Sequence, residues 1–327
     1  VKWLAAATVV LGVLAMSDDV TAATDVWIDT DPAAGLFERD VDDAVALIQA
    51  FRSPEITIHG ISVVFGNTSL DKAVPITEEV TERFGPEGLE VYPGAASEKD
   101  LGKTNPAVEA MIVALRQRPM TILALGPLTN VASLLQLHPD AADRIDAIVA
   151  VAGRRPGQRF TFDPSKSFSF PDANFEHDPE AMQVLLDSGV KIVLTPWEVS
   201  SHVFITDEDL ERLEVSGGSG AWLAEKAESW IALWHNKLGA PGFNPFDTLA
   251  IAWVTHPELL KRFDGRARIV EGGPELGGRE PDADAEQKPY LLVEPGNGEG
   301  DPVIYTYEPD PAFKDILLDR LTGRDAS

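Results

Sequence analysis

The chain has 327 residues, 44% of them hydrophobic, enough for one large core that buries roughly 75% of the unfolded surface. Its 53 acidic and 27 basic residues leave a formal charge of −26, which offers no basic face and excludes nucleic acid as a partner. Cysteine is absent, so disulfides, thiolate metal ligands, Cys nucleophiles and lipid attachment at Cys are excluded.

Lys2 precedes an apolar run from Trp3 to Met16, and Val20-Thr21-Ala22 or Thr21-Ala22-Ala23 supplies small residues for cleavage. Residues 1–23 therefore read as an export signal, with 24–327 as the mature domain and a periplasmic or secreted location expected. A run of about 14 apolar residues falls short of the ~20 that span a bilayer, so stable membrane insertion is not expected. The alternative reading of this segment is a first core helix.

Beyond residue 24 short apolar runs alternate with amphipathic stretches. Strands are predicted over 25–30, 56–64, 120–125, 145–151 and 190–195. Helices are predicted over 41–52, 70–84, 106–117, 128–137, 179–187, 207–214, 219–238 and 245–254. Later strands fall near 268–270, 290–294 and 302–307, with a closing helix near 311–321. This alternation predicts an α/β fold, an open and mostly parallel Rossmann-like sheet flanked by helices. The stretch 271–289, rich in Gly, Pro and acid, reads as a solvated loop, and 215–220 as a glycine hinge serving either as a lid or as a linker.

The first strand ends in Asp29-Thr30-Asp31-Pro32, and Asp40-Val41-Asp42-Asp43 opens the first helix. Carboxylates gathered at a strand's carboxyl end repel, each pair by ~4 kcal/mol at ~4 Å and an effective dielectric of ~20. A hard divalent cation with oxygen ligands removes that penalty. Helix capping explains one or two of these aspartates, but not Asp29 and Asp31 on the strand as well.

Asn67 closes the second strand, close enough to reach the same site. Leu125-Gly126-Pro127-Leu128-Thr129-Asn130 reads alone as strand-to-helix punctuation, although a free Leu125 carbonyl suits calcium. Asp178-Pro179 reads as a helix start, which leaves Asp172 and Asn174 upstream to point elsewhere. Asp247 stands at the mouth of an apolar helix. The six histidines show no H-E-x-x-H spacing, which disfavours zinc; His235, beside Trp230 and Trp234, is a weak catalytic candidate.

In their order, the Asp31/Asp42-Asp43, Gly126–Asn130, Asn174…Asp178-Pro179-Glu180-Ala181 and Asp247-Thr248-Leu249-Ala250 segments resemble the inosine-uridine-preferring nucleoside hydrolases, calcium-dependent N-ribohydrolases. The resemblance runs from about 25 to 260. It implies one Ca²⁺ held by Asp31, Asp43, Asp247 and the Leu125 carbonyl, with Asp31 as general base. It implies ribose contacts from Asp42, Asn67, Asp172 and Asn174, joined by Asp247, a nucleoside or related riboside as partner, and a homo-oligomer. The base pocket would draw on Val151, Trp230, Trp234, His235 and Phe246.

Five departures stand out from the family pattern. An insertion from Ala33 to Val41 splits the aspartate cluster, and Phe246 stands where a His commonly precedes the last metal Asp. Asp172 replaces a more frequent Glu, and Val151 a Met. A second insertion, 154–170, brings Arg154, Arg155 and Arg159 to the mouth; it reads as a solvent-facing loop neutralising an acidic surface, with selection of an anionic or larger substrate as the alternative. Two other functions stay open at this stage. One is a dehalogenase-like phosphatase, which shares D-x-D but needs a later Lys and acidic motif. The other is an exported riboside-binding protein without turnover.

Overall fold

Residues 23–161, 170–272 and 288–323 are described by a computed structural model. Chain order runs β1 (Thr24–Thr30), α1 (Asp42–Phe51), β2 (Ile56–Val63), α2 (Leu70–Phe84), β3 (Val91–Pro93), α3 (Pro106–Gln117), β4 (Met120–Ala124), α4 (Thr129–Leu137) and β5 (Ile145–Ala150). It continues with α5 (Ala173–His177), α6 (Pro179–Asp187), β6 (Ile192–Leu194), α7 (Trp197–Ser200), β7 (Ile205–Thr206), α8 (Asp207–Ser216), α9 (Gly218–Leu233) and β8 (Gly242–Phe243). The remaining elements are α10 (Thr248–Thr255), β9 (Leu260–Glu271), β10 (Pro289–Pro295), β11 (Asp301–Pro309) and α11 (Ala312–Thr322).

Side chains alternate across the central strands, and both faces are buried. Val26 and Ile28 of β1 share one apolar layer with Leu123, Val149 and Val193, whereas Trp27 joins Ile122, Ile148, Ile192 and Leu194 in the other. A strand apolar on both faces needs helices on both sides. Helices α1, α9, α10 and α11 supply the first layer, and α3, α4 and α6 the second. Helix α1 is buried from Asp42 to Ala50 because it lies beneath α2, α9, α10 and α11 rather than at the surface.

The main sheet runs β10-β9-β11-β6-β5-β4-β1-β2-β3. From β3 through β6 to β11 every pairing is parallel, and only β9 runs antiparallel to its two neighbours. The β3-β2-β1-β4-β5-β6 portion is the doubly wound order, whose direction of winding reverses between β1 and β4. Loops leaving the carboxyl ends of those two strands diverge to opposite faces and open a crevice. The mostly parallel, helix-flanked sheet expected from the sequence is therefore the observed one.

Differences concern short or polar elements. β3, α5, α7 and the β7/β8 pair are too brief for a periodic signal. β9 begins at Leu260, eight residues before its predicted start, because charged residues interrupt its apolar pattern. The predicted helix 219–238 ends as α9 at Leu233 and continues as a π-helical turn over Trp234–Leu238. The predicted hinge is a linker: Gly217, at φ +74°, alone separates α8 from α9, and Gly220 sits against the Leu213 carbonyl. The predicted export segment, except Ala23, and 273–287 of the predicted acidic loop lie outside the described residues. Among the described residues no helix is long and apolar enough to cross a membrane.

Candidate active site

The crevice between β1 and β4 holds a cavity of about 250 Å³. Asp31, 2% exposed, follows the last residue of β1 and lies behind cavity-lining Asn67. Its Oδ2 accepts the Asn67 backbone N–H at 2.6 Å, while Oδ1 is buried with no hydrogen-bond partner. Asp43, from the first turn of α1, turns back on the strand: Oδ1 accepts from Thr30 Oγ1 at 2.5 Å and from the Asp31 N–H at 3.0 Å. The Asn67 side-chain amide reaches Asp43 Oδ2 at 3.1 Å. Carboxylate oxygens of Asp42, Asp43 and Asp247 all lie within 4.8 Å of one another. Asp247 occupies the residue before α10, yet its side chain does not cap that helix, so it remains available to the cluster.

Burial, followed by neighbouring charges, pushes the acidities of Asp31, Asp42 and Asp247 well above the carboxylate range. Asp43 is raised by burial too, but its bonds to Thr30, the Asp31 N–H and Asn67 pull it back. Buried like charges at this spacing require a counter-charge or protons. The donors fit a metal ion: three clustered carboxylates, an unpartnered Asp31 oxygen, and a Leu125 carbonyl that also lines the cavity. Leu125 O accepts one bond, from Asn174 Nδ2 at 2.6 Å, and a carbonyl keeps a second lone pair. An all-oxygen set of this kind suits a hard cation.

Asp29 departs from the sequence reading. It faces the opposite layer, where Ser62 Oγ and Asn130 Nδ2 donate to its Oδ1, the latter at 2.8 Å. Trp27 Nε1 donates to Ser62 at 2.9 Å, and Asn130 Oδ1 accepts the Ala95 N–H at 2.8 Å. Side chains alternate along the strand, and this turns Asp29 away from the crevice. Its carboxyl, pushed up to about 7 by burial, ties β1, β2 and α4 together beneath the site. The Leu125–Asn130 box is thus more than punctuation, since Thr129 Oγ1 also donates to Asp178 at 2.5 Å.

These observations acquire a common meaning from sequence comparison. The model of the inosine-uridine preferring nucleoside hydrolases matches residues 26–291. The chain belongs to that family. Its enzymes are N-ribohydrolases that depend on a metal and act on small nucleosides, so the hydrolase reading replaces the phosphatase and the inert binder. A pyrimidine-specific ribonucleoside hydrolase, RihA, of Citrobacter koseri is 30% identical over 69% of this chain and 80% of its own length. A probable uridine nucleosidase 1 of Oryza sativa subsp. japonica is 28% identical over 75% of this chain and 81% of its own. Among solved structures, a plant nucleoside hydrolase, PpNRh1, superposes with a TM-score of 0.74 at 23% identity, over 91% of this chain and 99% of its own. That last likeness speaks for the fold.

In this nucleoside hydrolase the remaining predicted residues divide. Asn174 lines the cavity, but both its N–H groups are engaged by the Leu125 and Val151 carbonyls, at 2.6 and 3.1 Å. Asp172 lines it as well, held by the Gly153 N–H at 2.8 Å. Val151, Trp230, Trp234 and Phe246 form part of the wall. His235 is not brought to the cavity: it lies one residue past Trp234 on the π-helical turn, and its Nε2 is 3.3 Å from Asp207 Oδ2.

The start of the 154–170 insertion is solvent-facing only in part: Arg154 is buried, whereas Arg155 is exposed. Arg154, 4% exposed, stacks over Phe160 at 4.1 Å and Tyr290 at 5.0 Å, and Arg155 pairs with Glu198. Apolar Phe160 and Tyr290 draw the Arg154 guanidinium inward, whereas Arg155 stays at the surface beside Glu198. Residues 162–169 lie outside the description.

Sequence reasoning missed Phe160, Phe170 and Trp197, which also line the cavity, and placed Asp40 in the acidic cluster without giving it a role of its own. Asp40 had a signal, since it stands in the same acidic run and its Oδ1 caps α1 through the Val41 and Asp42 N–H groups at 2.7 and 3.1 Å. Trp197 follows the carboxyl end of β6, where a parallel sheet places ligands.

Asp172 carries a checkable pH signature. Burial pushes its carboxyl up to about 6, with Arg154 opposing. The folded protein therefore holds a proton there between the unfolded value of 3.8 and about 6, and stability falls as pH rises through that window. Denaturant titrations should show Asp172→Asn losing this dependence, so that wild type weakens relative to the variant by up to ~3 kcal/mol between about pH 4 and 7. A constant difference across that range would contradict the placement.

Proposed function

We propose that the chain hydrolyses the N-glycosidic bond of ribonucleosides or related ribosides in a Ca²⁺-dependent reaction, with Asp31 as general base. The observation that carries this reading is the Asp31 Oδ1 atom, buried and unpartnered beside the Asp42/Asp43/Asp247 group and next to cavity-lining Asn67. Asp31, Asp43, Asp247 and the Leu125 carbonyl would hold the ion, which supplies a Lewis-acidic centre that fixes hydroxyl oxygens.

The protein's own groups account for the rest. Asn67 anchors one Asp31 oxygen, which leaves the other to take a proton from an attacking water. Asp42, Asp172 and Asp247 line the cavity and accept hydrogen bonds from ribose hydroxyls, as does the Asn174 carbonyl oxygen. As the C1′–N bond lengthens, positive charge develops on the sugar, and the fixed carboxylates stabilise it. The aromatic wall excludes water from the base side.

A reducing-sugar assay over a nucleoside panel tests the reading. Chelation should lower ribose release by more than ~100-fold, the factor implied by several kcal/mol of transition-state stabilisation. Ca²⁺ should restore it, and should raise the unfolding free energy by ~2.7 kcal/mol at a concentration a hundred times Kd. Full activity in chelator, or equal rescue by Mg²⁺, would overturn the metal assignment.

A further inference from the structure

We infer that the aglycone pocket is built for ribosides whose glycosidic nitrogen carries a fixed positive charge, such as an N-ribosylpyridinium. The inference rests on the hydrolase reading above and narrows its substrate class. Three observations converge on it.

The first is the wall. Phe160, Phe170, Trp197, Trp230, Trp234 and Phe246 line one cavity. Their rings pack on one another at several inclinations: Phe170 and Trp234 stack at 18°, while Trp230 stands at 73° to Trp234 and Phe246 at 48°. Aromatic faces set around a void attract cations, by ~2 kcal/mol or more when the cation is desolvated.

The second is charge. Asp40, Asp42, Asp172 and Asp247 line the same cavity, and its described lining contains no Lys, Arg or His. Five carboxyl groups, those of Asp31, Asp40, Asp42, Asp43 and Asp247, gather at or beside the cavity, whereas a single divalent ion carries two charges. The 33–41 insertion adds to this surplus by seating Asp40 at the cavity.

The third is the leaving group. A neutral base departs as an anion unless a proton reaches it. Phe246 occupies the wall next to Asp247, and the only titratable groups among the described lining residues are the carboxyls of Asp40, Asp42, Asp172 and Asp247, of which the hydrolase reading commits the last three to the sugar and the ion. An indole N–H donates a hydrogen bond but does not surrender its proton. A pyridinium needs none: the C1′–N bond breaks, its electron pair stays on nitrogen, and neutral pyridine departs. The water oxygen bonds C1′, Asp31 takes the water's proton and later releases it to solvent. The balance is riboside cation plus water giving ribose, pyridine and one proton.

The test uses the intact metal-loaded enzyme with N-ribosyl-3-carbamoylpyridinium, uridine and inosine. The cationic riboside should exceed both neutral nucleosides in kcat/KM by at least ~100-fold, the share an absent general acid would have supplied. Phe246→His, which trades an aromatic face for a proton donor, should raise inosine turnover relative to that of the pyridinium riboside and so narrow the gap between them. In a separate calorimetric titration, 1-methyl-3-carbamoylpyridinium should bind more tightly than the neutral 3-carbamoylpyridine. Equal affinity of that pair, or neutral nucleosides cleaved as fast as the cation, would overturn this inference and leave the hydrolase reading standing. If no riboside releases ribose, the hydrolase reading fails, and the calorimetric pair still decides the preference of the pocket.

Discussion

Asp31→Asn should lower the turnover of every riboside by ~10³-fold or more, within the range that general acid–base catalysis contributes. The replacement preserves shape, and the amide oxygen can still accept the Asn67 N–H that holds Asp31 Oδ2. The change falls on Oδ1, which has no protein partner to lose. Removing one of several buried, mutually repelling carboxylates should leave the melting temperature unchanged or higher. Initial rates and circular dichroism together check the pair of outcomes. Unaltered turnover in a folded variant would remove Asp31 from the role of base.

A second large effect should come from Gly66→Ala, a residue that touches no substrate. Gly66 sits at φ +156°, and a Cβ there would lie 2.0 Å from Asp31 Oδ2 and 2.9 Å from Pro127 Cδ. The carboxylate must move, and with it the Asn67 N–H it accepts. A displacement of about 1 Å at a reacting group costs on the order of 10²-fold in rate. The strained backbone adds a cost on the order of 1–3 kcal/mol to folding. We therefore expect kcat to fall by ~100-fold with a modest loss of thermal stability. A variant as active as wild type would show that the Asp31 position tolerates more play than this cradle suggests.

Much of the fold was legible because its central strands are apolar on both faces and its helices amphipathic or wholly buried. Strand ends at residues 30, 63, 124 and 150 fell within one residue of expectation. Capping chemistry was equally readable at Asp178, whose Oδ1 accepts the Ala181 N–H at 3.0 Å ahead of Pro179. What local pattern could not provide was direction. Asp29 and Asp31 look alike in the sequence, and only strand alternation at the end of β1 sends one into the opposite layer and the other into the crevice. His235 neighbours a cavity residue in sequence, but a helical step carries it outward to Asp207. The inward turn of Arg154 depends on Phe160 and Tyr290, the latter far along the chain.

The 33–41 insertion has a mechanical consequence. Its Glu38 N–H is bound by Ser229 Oγ at 3.1 Å, Glu38 meets Lys237 at 2.6 Å, and Gly35 lies against the Lys226 side chain. Ser229 and Lys226 belong to α9, which also carries Trp230 and leads into Trp234. The segment that presents Asp40 is therefore bolted to the scaffold that presents the indoles. The acidic and aromatic sides of the cavity are thus braced through one helix, so a disturbance on the outer surface of α9 would reach both at once.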